Sequence, residues 1–242
     1  ETDAEITYEN VDTTDPWYRG EEYAKYHQQG TYARLRNGKI TAELNPEGWL
    51  RFLNQKGEEL TAEFWRDRNR LNRYALPLNL KGRELKPIMS TNEVELTARF
   101  EAYDDEKIFG MGQYQHRQLN KKGATLELAH RNSQASVPFM ISSRGYGFLW
   151  NNPAIGTASF AKNKTEWTAL NTKKLDYWIC AGDSPKQLTE LYSAVTGRVP
   201  MIPEYGIGFW QCKLRYRTQE ELLAVAREYK RRGLPIDAIV VD

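Results

Sequence analysis

Apolar and polar residues alternate along most of the first 180 positions, and the period then changes. In "VELTARFEAY" Val94, Leu96, Ala98, Phe100 and Ala102 point one way while Glu95, Thr97, Arg99 and Glu101 point the other, the period of a half-buried strand. "RNGKITAEL" sets Asn37 and Gly38 before Ile40, Ala42 and Leu44, and Asn-Gly signals a tight hairpin because both residues tolerate positive φ. "NPEG" at 45–48 and "NQKG" at 54–57 punctuate the next strands. "TLEL", "SVPFMISS", "GYGFLWNN", "GTASFA" and "LDYWICAG" continue as short β-branched or aromatic runs bounded by Gly, Asn and Pro. About a dozen short strands with little helix between them predict a mainly β fold, a large antiparallel two-sheet β-sandwich.

"SPKQLTELYSAVTG" breaks the alternation. Ser184 is placed as N-cap, Pro185 at the first helical position, and Gln187 completes a capping box. Leu188, Leu191, Tyr192 and Val195 form the apolar stripe and Gly197 the stop. The sandwich domain is therefore expected over 1–198 with this helix near 184–196, followed by a Pro-rich linker at 199–205. Residues 206–242 read as one βαβ unit. "GIGFWQ" is predicted as a buried strand, and "TQEELLAVAREYKRRG" as a helix with Thr218 and Glu221 as capping box and a basic last turn. "IDAIVV" reads as a second strand, continuously apolar as covered parallel strands are. A lone βαβ unit leaves a sheet edge and an apolar face uncovered. The 242 residues are thus expected to be a fragment of a longer protein.

Composition changes this picture little. With 40% hydrophobic and 27% charged residues the chain can bury a core. No stretch approaches the roughly 18 apolar residues of a membrane span. A formal charge of +2 gives no whole-chain footprint for nucleic acid. Cys180 and Cys212 are too few for a disulfide framework and lack metal-ligand spacing, which favours a reducing compartment. No signal peptide is visible in "ETDAEITYEN", so a cytoplasmic location is expected, and the missing initiator Met suggests that a segment has been removed. Seven Trp and fourteen Tyr suit both a sandwich core and sugar stacking.

"IPEYGIGFWQCKLRYRTQEELLAVAREYKRRGLPIDAIVVD" resembles the opening of the catalytic (β/α)8 barrel of glycoside hydrolase family 31, the family of α-glucosidases and α-xylosidases. "GMGQYQH", "LELAHRNSQASVPFMISSRGYGFLWNN" and the Pro-rich junction are similar to that family's N-terminal sandwich of galactose-mutarotase-like topology. The resemblance covers about residues 107–242; before that only the strand pattern fits. It implies a retaining hydrolase with two aspartates, nucleophile and general acid/base, whose carboxyls stand about 5–5.5 Å apart. In the family both lie on later barrel strands, so no catalytic residue is assigned here and both are expected beyond residue 242. The implied partner is an oligosaccharide or glycoside, and many members form homo-oligomers. The "RNSQASVPF" stretch looks more like the bacterial α-xylosidase-type members.

Barrel active sites form at the C-terminal ends of the strands, which puts Gln211–Tyr216 and Asp242 in view. The family places a sugar-binding carboxylate at the position matching Asp242, where an ionised group accepts hydrogen bonds from adjacent hydroxyls; the alternative is a helix cap. Tyr216 matches an aromatic of the family's sugar pocket, or else packs on the following helix. Of Phe209 and Trp210, which alternate, one is barrel interior and the other faces the helix. "HRNSQ" falls where relatives carry a loop over the barrel mouth, often with an Asp in a Trp-Asn-x-Asp setting. Here His130, Arg131 and Asn132 stand in a shorter loop, where Arg131 or Asn132 can donate to a sugar hydroxyl or form a plain turn.

Gln113, Tyr114, Gln115 and His116 form a polar and aromatic set of the kind that lines sugar clefts. His116 has no accompanying ligands, so no metal site and no cofactor are expected. Gly110 and Gly112 lack the helix of a phosphate loop. Three readings follow: a fragment of a retaining α-glycosidase hydrolysing terminal α-xylosyl or α-glucosyl residues, a stand-alone carbohydrate-binding β-sandwich module, and an aldose mutarotase or epimerase. The last needs a His and Glu pair, with only His27, His116 and His130 available.

Overall fold

A computed structural model describes residues 5–10, 31–45, 48–64 and 80–241. His27 and Asp242 lie outside the described residues. The chain divides into two compact units, Glu1–Val195 and Thr196–Asp242.

The first unit is mainly β. Its strands are β1 (Glu5–Asn10), β2 (Thr31–Asn37), β3 (Ile40–Leu44), β4 (Leu50–Leu53), β5 (Glu59–Ala62), β6 (Arg83–Pro87), β7 (Val94–Phe100), β8 (Ile108–Gln113), β9 (Thr125–Leu128), β10 (Ala135–Ser142), β11 (Tyr146–Trp150), β12 (Gly156–Phe160), β13 (Thr165–Thr172) and β14 (Tyr177–Ala181). Among the described residues these form three antiparallel sheets, with orders β1-β2-β3-β4-β5, β14-β11-β10-β8 and β6-β7-β13-β12-β9.

The hairpin at Asn37 forms one residue later than the Asn-Gly cue suggests. Asn37 pairs with Ile40, so the two-residue loop is Gly38-Lys39, and only Gly38 has positive φ (58°). That is the requirement of a II′ turn, whose first central residue alone must be left-handed.

β7 also departs from simple alternation. Leu96, Ala98 and Phe100 enter the core as expected, yet Thr97 and Arg99 are buried as well. A central strand is covered on both faces, and the charge is tolerated because Arg99 is paired: Nε donates to Glu166 at 2.5 Å and Nη2 to Glu84 at 3.2 Å.

Strands from the second and third sheets supply most of the core. Trp150, Trp167, Phe148 and Phe160 are almost wholly enclosed. Trp167 lies 5.9 Å from Trp150 and 5.1 Å from Phe148, both stacked, and meets Phe160 edge-on at 5.6 Å. These offset and T-shaped arrangements suit the ring quadrupoles.

The "SSRGYG" motif ties the first sheet to the second. Arg144 donates to the carbonyls of Glu59 and Leu60 and lies 3.7 Å over the Tyr103 ring. Buried Glu106 accepts from Ser142 at 2.6 Å and Tyr146 at 2.7 Å.

Helix α1 (Pro185–Thr196) starts as the capping pattern predicts, with Gln187 N–H donating to Ser184 Oγ at 3.3 Å. Gln187 Oε1 accepts from the Asp183 N–H at 2.9 Å, one residue before the cap. Leu188 is buried and Tyr192 stacks on Phe139 at 4.1 Å.

The second unit holds a 3-10 turn (Glu204–Ile207), β15 (Trp210–Gln211), α2 (Gln219–Arg231) and β16 (Ala238–Ile239). β15 and β16 pair in parallel, Trp210 with Ala238 and Gln211 with Ile239. The strands are shorter than the apolar runs, and β15 is not buried: Phe209 is 44% and Trp210 50% exposed. Within the unit one helix covers one face of the pair. Thr218 Oγ1 caps α2 by accepting from Glu221 N–H at 3.1 Å, while Glu221 reaches back to Arg217 N–H at 2.9 Å.

Candidate functional site

Two groups of residues carry the candidate chemistry, one in each unit.

In the second unit, strand alternation decides what Phe209 and Trp210 do. Phe209 stacks on Tyr229 of α2 at 5.6 Å, so odd positions of β15 face the helix. Trp210 points to the other side, its indole N–H donating to the Tyr205 carbonyl at 2.9 Å. By the same alternation Gln211 faces the helix. Its Oε1 accepts from Tyr229 OH at 2.7 Å and its Nε2 donates to Tyr216 OH at 3.1 Å. A polar chain therefore runs from the helix, through the strand end, to Tyr216.

Tyr216 is 8% exposed, so its ring packs within this unit instead of standing in solvent. Its hydroxyl accepts one hydrogen bond and keeps a proton to donate. Cys212 is an exposed free thiol. Glu221, at the start of α2, is held below the usual carboxylate range by the Lys213 ammonium first and by the Arg217 N–H second. β16 leads toward Asp242, which lies outside the described residues.

In the first unit the fold brings "GMGQYQH" and "HRNSQ" together. β8 pairs with β10, Gln113 opposite Ala135 and Gly112 opposite Ser136, and the register shifts between Ser136 and Met140. The shift is a bulge built on three successive left-handed residues, Gly110 (φ 92°), Met111 (φ 73°) and Gly112 (φ 87°). A Cβ on Gly112 would stand 2.3 Å from the Ala135 carbonyl oxygen. The two glycines thus serve strand approach. Gly112→Ala adds this clash to a strained φ and is expected to destabilise the chain by about 1–3 kcal/mol or more, read as a lower urea midpoint. An unchanged midpoint would refute the bulge.

Beyond the bulge, Tyr114 OH donates to the Glu127 carbonyl at 2.7 Å and lies 2.9 Å from Ser136 Oγ. Burial raises the Tyr114 pKa above the phenol's ordinary value. His116 lies over the Tyr114 ring with its Nδ1 3.4 Å from Lys121 Nζ. Arg131 is held by a forked pair of hydrogen bonds to Glu127, at 2.5 and 3.1 Å. The Glu127 hydrogen bond raises the Arg131 pKa, and the reciprocal contact lowers that of Glu127. Arg131 and Gln134 bridge across the turn, Ser133 adopts φ 64°, and Asn132 at the tip is exposed.

Tyr114, Glu127, Arg131 and Asn132 therefore share one exposed loop cluster, and Tyr216 occupies the strand end of the other unit. Among the described residues neither His116 nor His130 hydrogen-bonds a carboxylate: His130 Nδ1 accepts from Ser136 N–H at 3.3 Å. The proton-transfer pair of a mutarotase is not formed by them. Glu127 was not a candidate from sequence, though it was legible in principle, four residues before Arg131. Gln211 came into view only as the start of the strand-end stretch Gln211–Tyr216, and its role was not legible because its two partners come from a loop and a helix.

Comparison with known proteins places these features. Residues 5–158 match the glycosyl hydrolase 31 N-terminal galactose mutarotase-like domain, and residues 199–242 match the glycosyl hydrolases family 31 TIM-barrel domain. An uncharacterized family 31 glucosidase of Pseudescherichia vulneris is 55% identical over 217 residues, 86% of this chain and 41% of that protein. An α-xylosidase of Saccharolobus solfataricus is 35% identical over 163 residues, 64% of this chain and 22% of that protein. Among solved structures, a GH31 α-xylosidase from a soil metagenome, complexed with xylose, superposes with TM-score 0.75 at 57% identity over 87% of this chain and 32% of that chain. The chain spans less than half the length of these relatives.

Proposed function

Because the chain belongs to glycosyl hydrolase family 31, we propose that it supplies the N-terminal β-domain and the first βαβ unit of a retaining α-glycosidase acting on terminal α-xylosyl or α-glucosyl residues. The observation that carries this reading is the parallel β15–β16 pair with its crossover helix, the opening unit of a barrel whose substrates are held at the C-terminal strand ends.

In this reading Asp242 accepts hydrogen bonds from two adjacent sugar hydroxyls, and its charge favours the positive character that develops on the ring. Tyr216, fixed through Gln211, has its own proton left to donate to a hydroxyl. Arg131 and Asn132 donate to sugar hydroxyls from the loop, and Glu127 keeps the Arg131 fork oriented. The nucleophile and the general acid/base come from later strands; two carboxyls about 5–5.5 Å apart attack the anomeric carbon and protonate the leaving oxygen. The xylosidase names of two relatives, one of them solved with xylose, favour a xyloside, against the glucosidase name of the Pseudescherichia vulneris relative.

The purified 242-residue chain is expected to release no nitrophenol from aryl α-xyloside or α-glucoside, whereas a polypeptide carrying the complete barrel hydrolyses the xyloside. Turnover by the 242 residues alone would overturn the assignment. Saturable heat of oligosaccharide binding by the chain alone would favour a self-sufficient binding module instead.

A further inference from the structure

Gln113 ends β8, and three residues later the fold presents His116 as a fixed, flat surface. Its imidazole stacks on Tyr114, with ring centroids 5.7 Å apart and 11° between the planes. Tyr114 is half-buried and anchored at its far end, where the hydroxyl donates to the Glu127 carbonyl at 2.7 Å and lies 2.9 Å from Ser136 Oγ. One face of the imidazole is thereby taken.

One edge is taken as well. His116 Nδ1 lies 3.4 Å from Lys121 Nζ. Lys121 is buried, its Nζ donating to the Gln118 carbonyl at 2.5 Å and its N–H to the Ile108 carbonyl at 2.7 Å. Asn120 Oδ1 ties down the same turn, accepting from the Ile108 N–H at 2.9 Å and the Lys122 N–H at 3.1 Å. An ammonium only donates, so Nδ1 accepts and the ring proton sits on Nε2. Nε2 and the second face of the ring meet no partner among the described residues, and His116 is exposed. Held on one face and one edge, the ring offers solvent a plane with a hydrogen-bond donor at its rim.

We infer that His116 is a stacking platform for the ring bonded to the terminal sugar, whether a second sugar or an aryl group; this rests on the glycosidase reading, in which Arg131 and Asn132 meet the terminal sugar. Glu127 joins the two places, since its carbonyl holds Tyr114 and its carboxylate holds the Arg131 fork. A flat aromatic suits the apolar face of such a ring, and Nε2–H suits a hydroxyl on its edge. Gln113 and Gln115, both exposed, add amides beside it. Because Tyr114 and Lys121 fix the imidazole before a ligand arrives, part of the ordering cost of binding is already met.

The test compares His116→Ala with the parent in a polypeptide carrying the complete barrel. Two substrates share the sugar, xylose or glucose as the parent requires, and differ in the leaving group: an aryl α-glycoside and an α-glycosyl fluoride. The fluoride has no second ring to stack. His116→Ala should lower kcat/KM for the aryl glycoside relative to that for the fluoride by about three- to tenfold, the size of one aromatic pair. His116→Phe restores the plane without the donor and should recover most of that ratio. A ratio unchanged in His116→Ala, whether neither substrate suffers or both suffer together, would overturn the platform, as would a His116→Phe that recovers nothing. Hydrolysis of neither substrate by the parent would instead defeat the glycosidase reading, and the platform with it.

Discussion

Asp242→Asn, made in a polypeptide carrying the complete barrel, should lower kcat/KM for an aryl α-xyloside by about 10²–10³-fold, the size of losing one preorganised electrostatic contact to a charged transition state. Asparagine keeps the shape and the carbonyl acceptor but removes the charge and replaces one acceptor oxygen with a donor. If the carboxylate favours the developing ring charge, the loss falls on kcat as well as KM. If Asp242 only caps the next helix, the variant should lose about 1 kcal/mol of stability and nearly no activity per folded molecule. Activity within about threefold of the parent, in a variant that melts earlier, would assign the residue to capping.

Trp167→Ala is expected to cost about 3–5 kcal/mol of unfolding free energy, which would leave much of the first unit unfolded at moderate temperature. Trp167 is fully buried in β13, stacked with Trp150 and Phe148 of β11 and edge-on to Phe160. None of these rings can swing into the space without leaving its own partners, so a cavity should remain. The indole N–H finds no hydrogen-bond partner among the described residues. The loss is therefore one of packing and buried area, and Trp167→Phe should recover a large part of it. Urea denaturation of the three proteins measures this. A Trp167→Ala value below about 1.5 kcal/mol would mean that the core relaxes around the gap.

The strands were legible because their signal is local. Alternation in "VELTARF" puts Leu96 and Ala98 on one face, and in the β7–β13 register they lie beside Ala169 and Trp167 in the core. Both helices were equally plain, since caps and stripes are written within a few residues. The burial of Arg99 was not, because it depends on Glu84 and Glu166, one of them 67 positions away. The hairpin at Gly38 shifted by one residue for a subtler reason: strand pairing fixed Asn37 opposite Ile40, and only one of the two turn residues then needed positive φ.

For the candidate site, sequence reading singled out Tyr216 and Arg131 as candidates but not what holds them. The role of Gln211, in view only as the start of Gln211–Tyr216, follows from the alternation that sets odd positions against α2, since neither Tyr216 nor Tyr229 is its sequence neighbour. The exposure of Trp210 likewise escaped a reading of "GIGFWQ" as buried, because burial is a property of neighbours and hydropathy measures only the strand itself.

The β8 bulge bears on how such proteins can be recombined. Gly110 to Gly112 set the phase of Tyr114, whose partners are Glu127 and Ser136, and Glu127 in turn grips Arg131. Residues 108–142 are in this sense a cassette. Transplanting only the 130–134 loop from a relative would leave behind the clasp that orients its arginine, whereas exchanging the cassette whole carries both the loop and its fastening.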